Sequence, residues 1–283
     1  MSERKVHIVT DSTADMPYDL RVKYGIDMIP AAVNFGEISC VDGLNLNIED
    51  FKYLLRKNPG IIPTTGVLGP EQYVKVYDRH PGSDIVSVHI GQKFSKLFEV
   101  ADMVARQNQE DRRIKPYNTG TVSMGIGFMA MQAALLAQDG ADVETIIQSL
   151  DEMKERLTVV AAVGDMAYLS KGGRVSHIQG VVGSLLNIHP ILRIDHDLIG
   201  NPDKPRTMHK AIRKLVEFAK GFGPLEQAAV VHFDSERSAN NLATDLQSFP
   251  IQNKDILVCE LGPVVATHCG FGTLGLCLLR QRA

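Results

Sequence analysis

Hydroxyls and backbone amides gather where the chain passes from a β-rich run into a helical pattern. Asp11-Ser12-Thr13 follows the apolar run Val6 to Thr10, and Gly91 to Ser95 follows the run that ends at Ile90. Asn118 to Ser123 follows the run ending near Tyr117, with Gly125 just inside the next helix. Helix N-termini leave N–H donors unpaired and carry partial positive charge, so such junctions suit an anion. Ser and Thr are also ordinary helix caps, and capping alone explains any one of these junctions. Pro63-Thr64-Thr65-Gly66 lies between two helical patterns and has no periodicity of its own. Its paired hydroxyls could donate to a carboxylate or phosphate, or could form local turns with the backbone. Lys171-Gly172-Gly173-Arg174 sets two residues tolerant of positive φ between two cations, giving either a solvated turn or a basic turn that approaches an anion. In Thr267-His268-Cys269-Gly270 a histidine sits in a Gly-rich loop beyond a strand, where an imidazolium could pair with a carboxylate. The chemistry common to these segments is anion recognition.

Other motifs fail on context. Gly270-Phe271-Gly272-Thr273-Leu274-Gly275 matches GxGxxG, but too little chain follows for a βαβ unit. Gly125-Ile126-Gly127-Phe128-Met129-Ala130 opens a helix, yet the acidic residue about twenty positions on, Glu144, falls within a helix instead of at a strand end. There is no GxxxxGK[ST] phosphate loop, HExxH zinc motif or GxSxG nucleophile elbow. Nine histidines without ligand spacing give no reason to expect a dedicated metal site.

The elements that must position these residues alternate. Strands are expected at Val6 to Thr10, Ile26 to Phe35, Asp84 to Ile90 and Ile114 to Asn118. Helices are expected at Pro17 to Tyr24, Ile48 to Lys57 behind Asn47, from Pro70, from Ser95 to Gln107 and from Ser123 to Gln138. That order indicates βαβ units and a parallel sheet. A helix capped by Asp142 runs to about Leu157 and makes a plausible hinge. After it come strands at Thr158 to Val163, Ala228 to Phe233 and Ile256 to Leu261, and helices at Thr207 to Gly221 and Ser235 to Phe249. Ile191 to Ile199 is interrupted by Asp195-His196-Asp197, and the final stretch reads as Gly-rich. The expected organisation is an α/β domain over residues 1–157 and a second over 158–283.

A length of 283 residues is about two domains' worth and needs no disulfide or metal to fold. Lys and Arg number 30 against 33 Asp and Glu, so there is no global electrostatic footprint for nucleic acid. No apolar run reaches the ~18 residues of a membrane span, and no signal peptide opens the chain. Four cysteines without CxxC spacing suit reduced thiols in a cytoplasm.

Seven blocks, taken in order, resemble the DegV family of bacterial fatty-acid-binding proteins. They are Val9 to Pro17, Pro63-Thr64-Thr65, Ser87 to Ile90 with Ser95, Ser123 to Gly127, Tyr168 to Ser176, Gly183 to Leu192 and Glu260 to His268. The resemblance implies two α/β domains, the first with a parallel sheet and the second with a mixed one, holding a fatty acid in an apolar tunnel between them. It implies a carboxylate held by Thr65, Ser95 and His268, with Thr64 beside them and Ser12, Thr13, Ser123 and Gly125 in supporting loops. It further implies a carrier, not an enzyme, without cofactor or metal. This carrier presents its acid to a separate ATP-dependent kinase for acyl-phosphate formation, with Arg174, Arg206 and Lys171 facing the phosphate or the kinase. Nucleic acid is not an expected partner, and membrane contact would be at most transient and superficial.

Departures from the family pattern fall at Gly66, Gly91-Gln92, Lys96-Leu97, Ala266 and Asn118. A carboxylate buried without partners would cost several kcal/mol, which two hydroxyls, backbone amides and an imidazolium would offset. The alkyl tail contributes about 0.8 kcal/mol per buried CH₂. The alternative is a nucleotide-dependent or hydrolytic enzyme on the same scaffold, using Ser95 or Ser12 with His268.

Overall fold

A computed structural model describes residues 5–108, 113–173 and 188–282. The first half is built from β1 (Val6–Asp11), α1 (Tyr18–Tyr24), β2 (Asp27–Ile29), β3 (Ala32–Phe35), β4 (Ile38–Val41), α2 (Ile48–Lys57), β5 (Thr64–Gly66) and α3 (Pro70–Tyr77). It continues through β6 (Asp84–His89), α4 (Leu97–Gln107), β7 (Ile114–Asn118), α5 (Met124–Gln138) and α6 (Val143–Lys154). The second half holds β8 (Leu157–Ala162), α7 (Met166–Lys171), β9 (Ile191–Asp195), β10 (Leu198–Asp203), α8 (Met208–Phe222), β11 (Leu225–His232), α9 (Glu236–Leu246), β12 (Leu257–Glu260), α10 (Pro263–Cys269) and β13 (Leu274–Arg280).

The N-terminal sheet runs β2-β1-β6-β7 and is parallel throughout. The second sheet runs β10-β9-β8-β13-β11-β12 and is mixed, with β11 and β12 parallel and the other pairs antiparallel. A small antiparallel sheet, β4-β3-β5, carries the paired threonines. Both large sheets are α/β, as the sequence indicates.

Four expectations about the strands change. Ile26 to Phe35 is two strands in different sheets, because Pro30 lies between them and has no N–H for a ladder. Thr64-Thr65-Gly66 is a strand on β3 and not a loop, its backbone groups being paired across the ladder. The interruption at Asp195-His196-Asp197 is a hairpin between β9 and β10, with His196 and Asp197 both at positive φ. The Gly-rich tail contains β13, which lies inside the mixed sheet between β8 and β11.

The β13 alternation shows how the core is divided. Leu274, Leu276 and Leu278 face a cluster with Ala211 and Leu215 of α8 and Leu242 of α9. Cys277 and Leu279 face the larger cluster, shared with the N-terminal sheet. Successive strand side chains point to opposite faces, so one strand serves both cores. Between the sheets lies α5, which touches β1 and β6 on one side and β8 and β13 on the other. A helix apolar around most of its circumference belongs in such a sandwiched place. The four cysteines are free. No helix among the described residues is long and apolar enough to cross a membrane.

Candidate functional site

Three distant elements converge on one polar point. Pairing of β5 with β3 sets Thr65 opposite Val33 and, by strand alternation, turns Thr64 to the other face. Thr64 is exposed, whereas Thr65 is half-buried at a cavity wall. Pro263 at the first turn of α10 supplies a φ already suited to a helix. Gly262 before it donates its N–H to Asp15 Oδ1 at 2.8 Å, fixing where α10 begins. His268 lies in the last turn of α10 and not in the loop expected from its glycine neighbours, and its Nε2 is 2.9 Å from Thr65 Oγ1 across 203 residues of sequence. Ser95 stands at the entrance to α4 on the same cavity, and its Oγ accepts the Leu97 N–H at 3.3 Å.

Behind the imidazole the backbone comes very close. A Cβ at Gly172 would lie 2.5 Å from His268 Nδ1 and 2.9 Å from the Tyr168 carbonyl oxygen. Only glycine lets the end of α7 pack there, which gives the Lys171-Gly172-Gly173 turn a structural role next to the site. Lys171 itself is exposed at the end of α7.

From this point an apolar cavity runs between the two large sheets. Val159, Ala161 and Val163 line it from alternate positions of β8 and its end, and Leu192, Ile194 and Ile199 line it from the β9–β10 hairpin. Ile90, Phe94, Leu169 and Val231 complete its greasy wall, with Thr13 and Ser123 among its few polar neighbours. About 140 Å³ is open to the centres of water-sized molecules, and the bodies of occupants fill more. On the other side of Thr65, Phe94, Ser95 and Val264 lies an open groove with Gln92, Lys93 and Lys96. The two hydroxyls therefore stand between a greasy interior and a solvent-facing basic rim. This suits an amphiphile whose tail is buried and whose anionic head reaches the boundary.

The remaining sequence candidates separate into wall and periphery. Thr13 lines the cavity while its N–H donates to Asp11 Oδ1 at 3.0 Å, and its hydroxyl also bonds that oxygen. Ser123 lines the cavity at φ 55°, its N–H bonded to the Thr13 carbonyl at 2.9 Å. Ser12 lies behind the wall, where its Oγ accepts the Ala31 N–H at 3.2 Å. Gly125 admits close packing of α5 on β8, since a Cβ there would meet Val159 Cγ2 at 3.0 Å. Arg206 is exposed between β10 and α8, away from the cavity lining. Arg174 lies outside the described residues. Ser95 Oγ meets the Leu97 amide and His268 Nε2 meets Thr65, so the geometry is unlike the Ser–His pair that the hydrolytic alternative requires.

Sequence reasoning missed a buried polar chain behind the wall. Asp11 Oδ2 lies 3.0 Å from His89 Nδ1, His89 Nε2 lies 2.7 Å from Ser87 Oγ, and Tyr77 Oη donates to Ser87 Oγ at 3.0 Å. Its connectivity is that of a catalytic triad, yet all four residues have 0% exposure, so no substrate can reach it. Its outlet is structural: Asp11 also holds the Ile90 N–H at 3.1 Å, and Ile90 and Thr13 both line the cavity. Alternation along β6 could have signalled that Ser87 and His89 share a face. Asp15 and Asp42 flank Gly262 in a second buried group. Burial pushes the Asp15 carboxyl well above the usual range. Burial likewise raises Asp42, to about 7, against the lowering effects of the Ser12 hydroxyl and Arg21.

A family model described as an uncharacterised protein, DegV family, matches residues 5–281. The chain belongs to the DegV family. Protein DegV of Bacillus subtilis is 32% identical over 280 residues, covering 96% of this chain and 98% of that protein. The crystal structure of Bacillus subtilis DegV, described as a fatty acid binding protein, superposes with a TM-score of 0.87 at 31% identity, covering 98% of this chain and 100% of that one. A Thermotoga maritima protein described as revealing fatty acid binding function superposes with a TM-score of 0.85 at 27% identity, again covering 98% and 100%. The DegV family thus supplies proteins of this fold that bind fatty acids, and the family resemblance of the sequence blocks holds along the chain.

Proposed function

We propose that this DegV-family chain binds a long-chain fatty acid, its tail in the cavity between the large sheets and its carboxylate at Thr65, Ser95 and His268. The observation that carries this reading is the meeting of Thr65 and His268, 2.9 Å apart, at the polar end of an otherwise greasy cavity. The fatty-acid-binding DegV proteins of Bacillus subtilis and Thermotoga maritima support it. Two hydroxyl donors and a protonatable imidazole offset the loss of carboxylate hydration, while the tail supplies affinity at about 0.8 kcal/mol per buried CH₂.

In this reading the chain is a carrier, and the exposed rim of Lys93 and Lys96 leaves the head group within reach of a second protein. That partner is an ATP-dependent kinase that phosphorylates the carboxylate, and Lys171, Arg174 and Arg206 are the cations assigned to the phosphate or the kinase. The molecule works in the cytoplasm and requires no cofactor of its own.

Denaturing the purified protein, extracting it with organic solvent and weighing the extract by mass spectrometry tests the first step. One long-chain fatty acid per chain is expected. An empty extract, together with no uptake of added palmitate or oleate, sinks the proposal. The second step is tested by adding a bacterial fatty acid kinase, ATP and the loaded protein. ATP-dependent consumption of the bound acid is expected, and loaded protein that stays unchanged with a kinase active on its own carrier overturns the carrier role.

A further inference from the structure

At the end of the parallel sheet remote from the cavity, two imidazoles and a carboxylate converge. His7 is the second residue of β1, Asp27 the first residue of β2, and His80 follows α3. The register pairs Val9 with Asp27, so His7, two positions earlier, shares the face of Asp27. His7 Nε2 lies 2.9 Å from Asp27 Oδ2, and His80 Nε2 lies 2.6 Å from the same oxygen. One ligand atom from each of the three residues lies within 4.8 Å of the others. Asp11, the last residue of β1 on the cavity side, is roughly 13 Å from His7 along the strand at about 3.3 Å per residue.

We propose that His7, Asp27 and His80 bind a divalent transition-metal ion of the zinc class, through two imidazole nitrogens and one carboxylate oxygen, with the remaining position open to water. Imidazole with carboxylate is a donor set suited to Zn²⁺. Bonds of about 2.0–2.2 Å place neighbouring ligand atoms of a tetrahedral ion about 3.3 Å apart, so the present 2.6–2.9 Å separations need to open by about half an ångström. The two rings are stacked, with centroids 3.3 Å apart and planes 18° from parallel. They must fan about their Cβ–Cγ bonds to aim both in-plane lone pairs at one ion. The side chains have the room, being 19%, 23% and 30% exposed for His7, Asp27 and His80.

Arg79 supports the arrangement from the far side. Its Nη1 donates to Asp27 Oδ1 at 2.9 Å, which orients the carboxylate and leaves Oδ2 toward the histidines. Its charge lowers the affinity for a cation, so the site is expected to be weaker than a closed structural zinc centre. Spacings of 20 and 53 residues between the ligands hide the cluster from any local motif, which is why the sequence carries no metal expectation. A bound ion would tie β1, β2 and the segment after α3 together without involving Thr65, Ser95 or His268.

The test uses the untagged full chain, stripped with a chelator and titrated with Zn²⁺ in a calorimeter. One saturable ion per chain is expected in the wild type, with affinity falling at least tenfold in Asp27→Asn and in His80→Ala. The side-chain amide introduced by Asp27→Asn keeps an oxygen to accept the histidine hydrogen bonds, and circular dichroism checks that both variants are folded. Co²⁺ substitution gives an independent readout, the visible absorption of a nitrogen- and oxygen-ligated ion, which His7→Ala should abolish. Absence of saturable binding to the wild type, or affinities unchanged in both folded variants, overturns the proposal. Because fatty-acid binding should be the same with and without Zn²⁺, this result stands or falls independently of the proposed lipid site.

Discussion

A carboxylate drawn to the edge of an apolar cavity keeps its charge only if donors replace its water, and among the three proposed donors only His268 can carry a full positive charge. His268→Ala is expected to weaken fatty-acid binding by about 2–5 kcal/mol, roughly thirtyfold or more, with the circular dichroism spectrum unchanged. Equal affinity in the variant would remove His268 from the site. Gly172→Ala acts on the same ring from behind: its Cβ would stand 2.5 Å from Nδ1, so the imidazole must move off Thr65. Binding should weaken there too, by less than in His268→Ala, and titration with a fluorescent fatty acid measures both. Asp42 gives a pH dependence whose sign can be worked out. Its carboxyl is held at about 7 by burial, above the value of about 3.9 in an unfolded chain, so the folded state binds the proton more tightly. That contribution to stability is complete below about pH 4 and is lost as pH rises through about 7. The melting temperature of Asp42→Asn, relative to wild type, should therefore rise between pH 5 and pH 8, and a constant difference would show that the group does not titrate this way. The individual residues were only partly legible in sequence. Thr65 and His268 could be named together only through a block resemblance, because 203 residues separate them. The division of labour between Thr64 and Thr65 needed the strand, since a loop has no alternation to assign faces.

At the scale of elements, β1, β6, β7 and the helices between them could be read from periodicity, and the break between β2 and β3, the hairpin and the final strand could not. Gly270, Gly272 and Gly275 made the tail look like loop, yet Gly275 sits within β13 where its neighbours crowd it. A Cβ there would meet Val231 Cγ2 at 2.9 Å and Ala161 Cβ at 3.1 Å. Glycine in a strand often marks such a close approach, which local propensity cannot reveal. The β9–β10 hairpin was hidden for a different reason, since Asp195-His196-Asp197 is polar and docks against a distant segment of the first half. Asp197 accepts from Asn118 Nδ2 at 2.8 Å, and its N–H reaches the Gly120 carbonyl at 2.9 Å. This brings Leu192, Ile194 and Ile199 over the cavity. Gly91, one of the departures from the family pattern, fits this docking, because a Cβ there would lie 2.5 Å from Asp197 Oδ1. Gly91→Ser is expected to destabilise the chain by about 1–3 kcal/mol, a fall of roughly 2–10 °C in melting temperature. Adding Asp197→Gly, which keeps the positive φ of 64°, should lessen the penalty of the serine. If the two effects simply add, the close approach does not couple them.

For the whole molecule, the cavity wall and the joint between the sheets are the same surface. The larger core unites Ile8, Val88 and Met124 from the first half with Val159, Val231 and Cys277 from the second. Polar ties reinforce it: Lys52 Nζ lies 3.1 Å from both Glu260 carboxylate oxygens, and Arg56 Nη2 donates to Asp234 Oδ2 at 2.7 Å. Composition and periodicity carry no trace of how much core the strands before and after residue 157 share, because burial by a distant partner leaves no local pattern. Two sheets joined by one apolar cluster cannot part without exposing it, so scanning calorimetry is expected to show a single cooperative transition for the described fold. A ligand held between the sheets binds only while they are together, and it stabilises that state by RT ln(1 + [L]/Kd). At a hundredfold excess over Kd this is about 2.7 kcal/mol, so the delipidated protein should melt several degrees below the loaded one. The shift should grow with the logarithm of added fatty acid and should shrink in His268→Ala. Two separated transitions, with the fatty acid moving neither, would mean that the sheets unfold independently and that the space between them is not where the ligand sits.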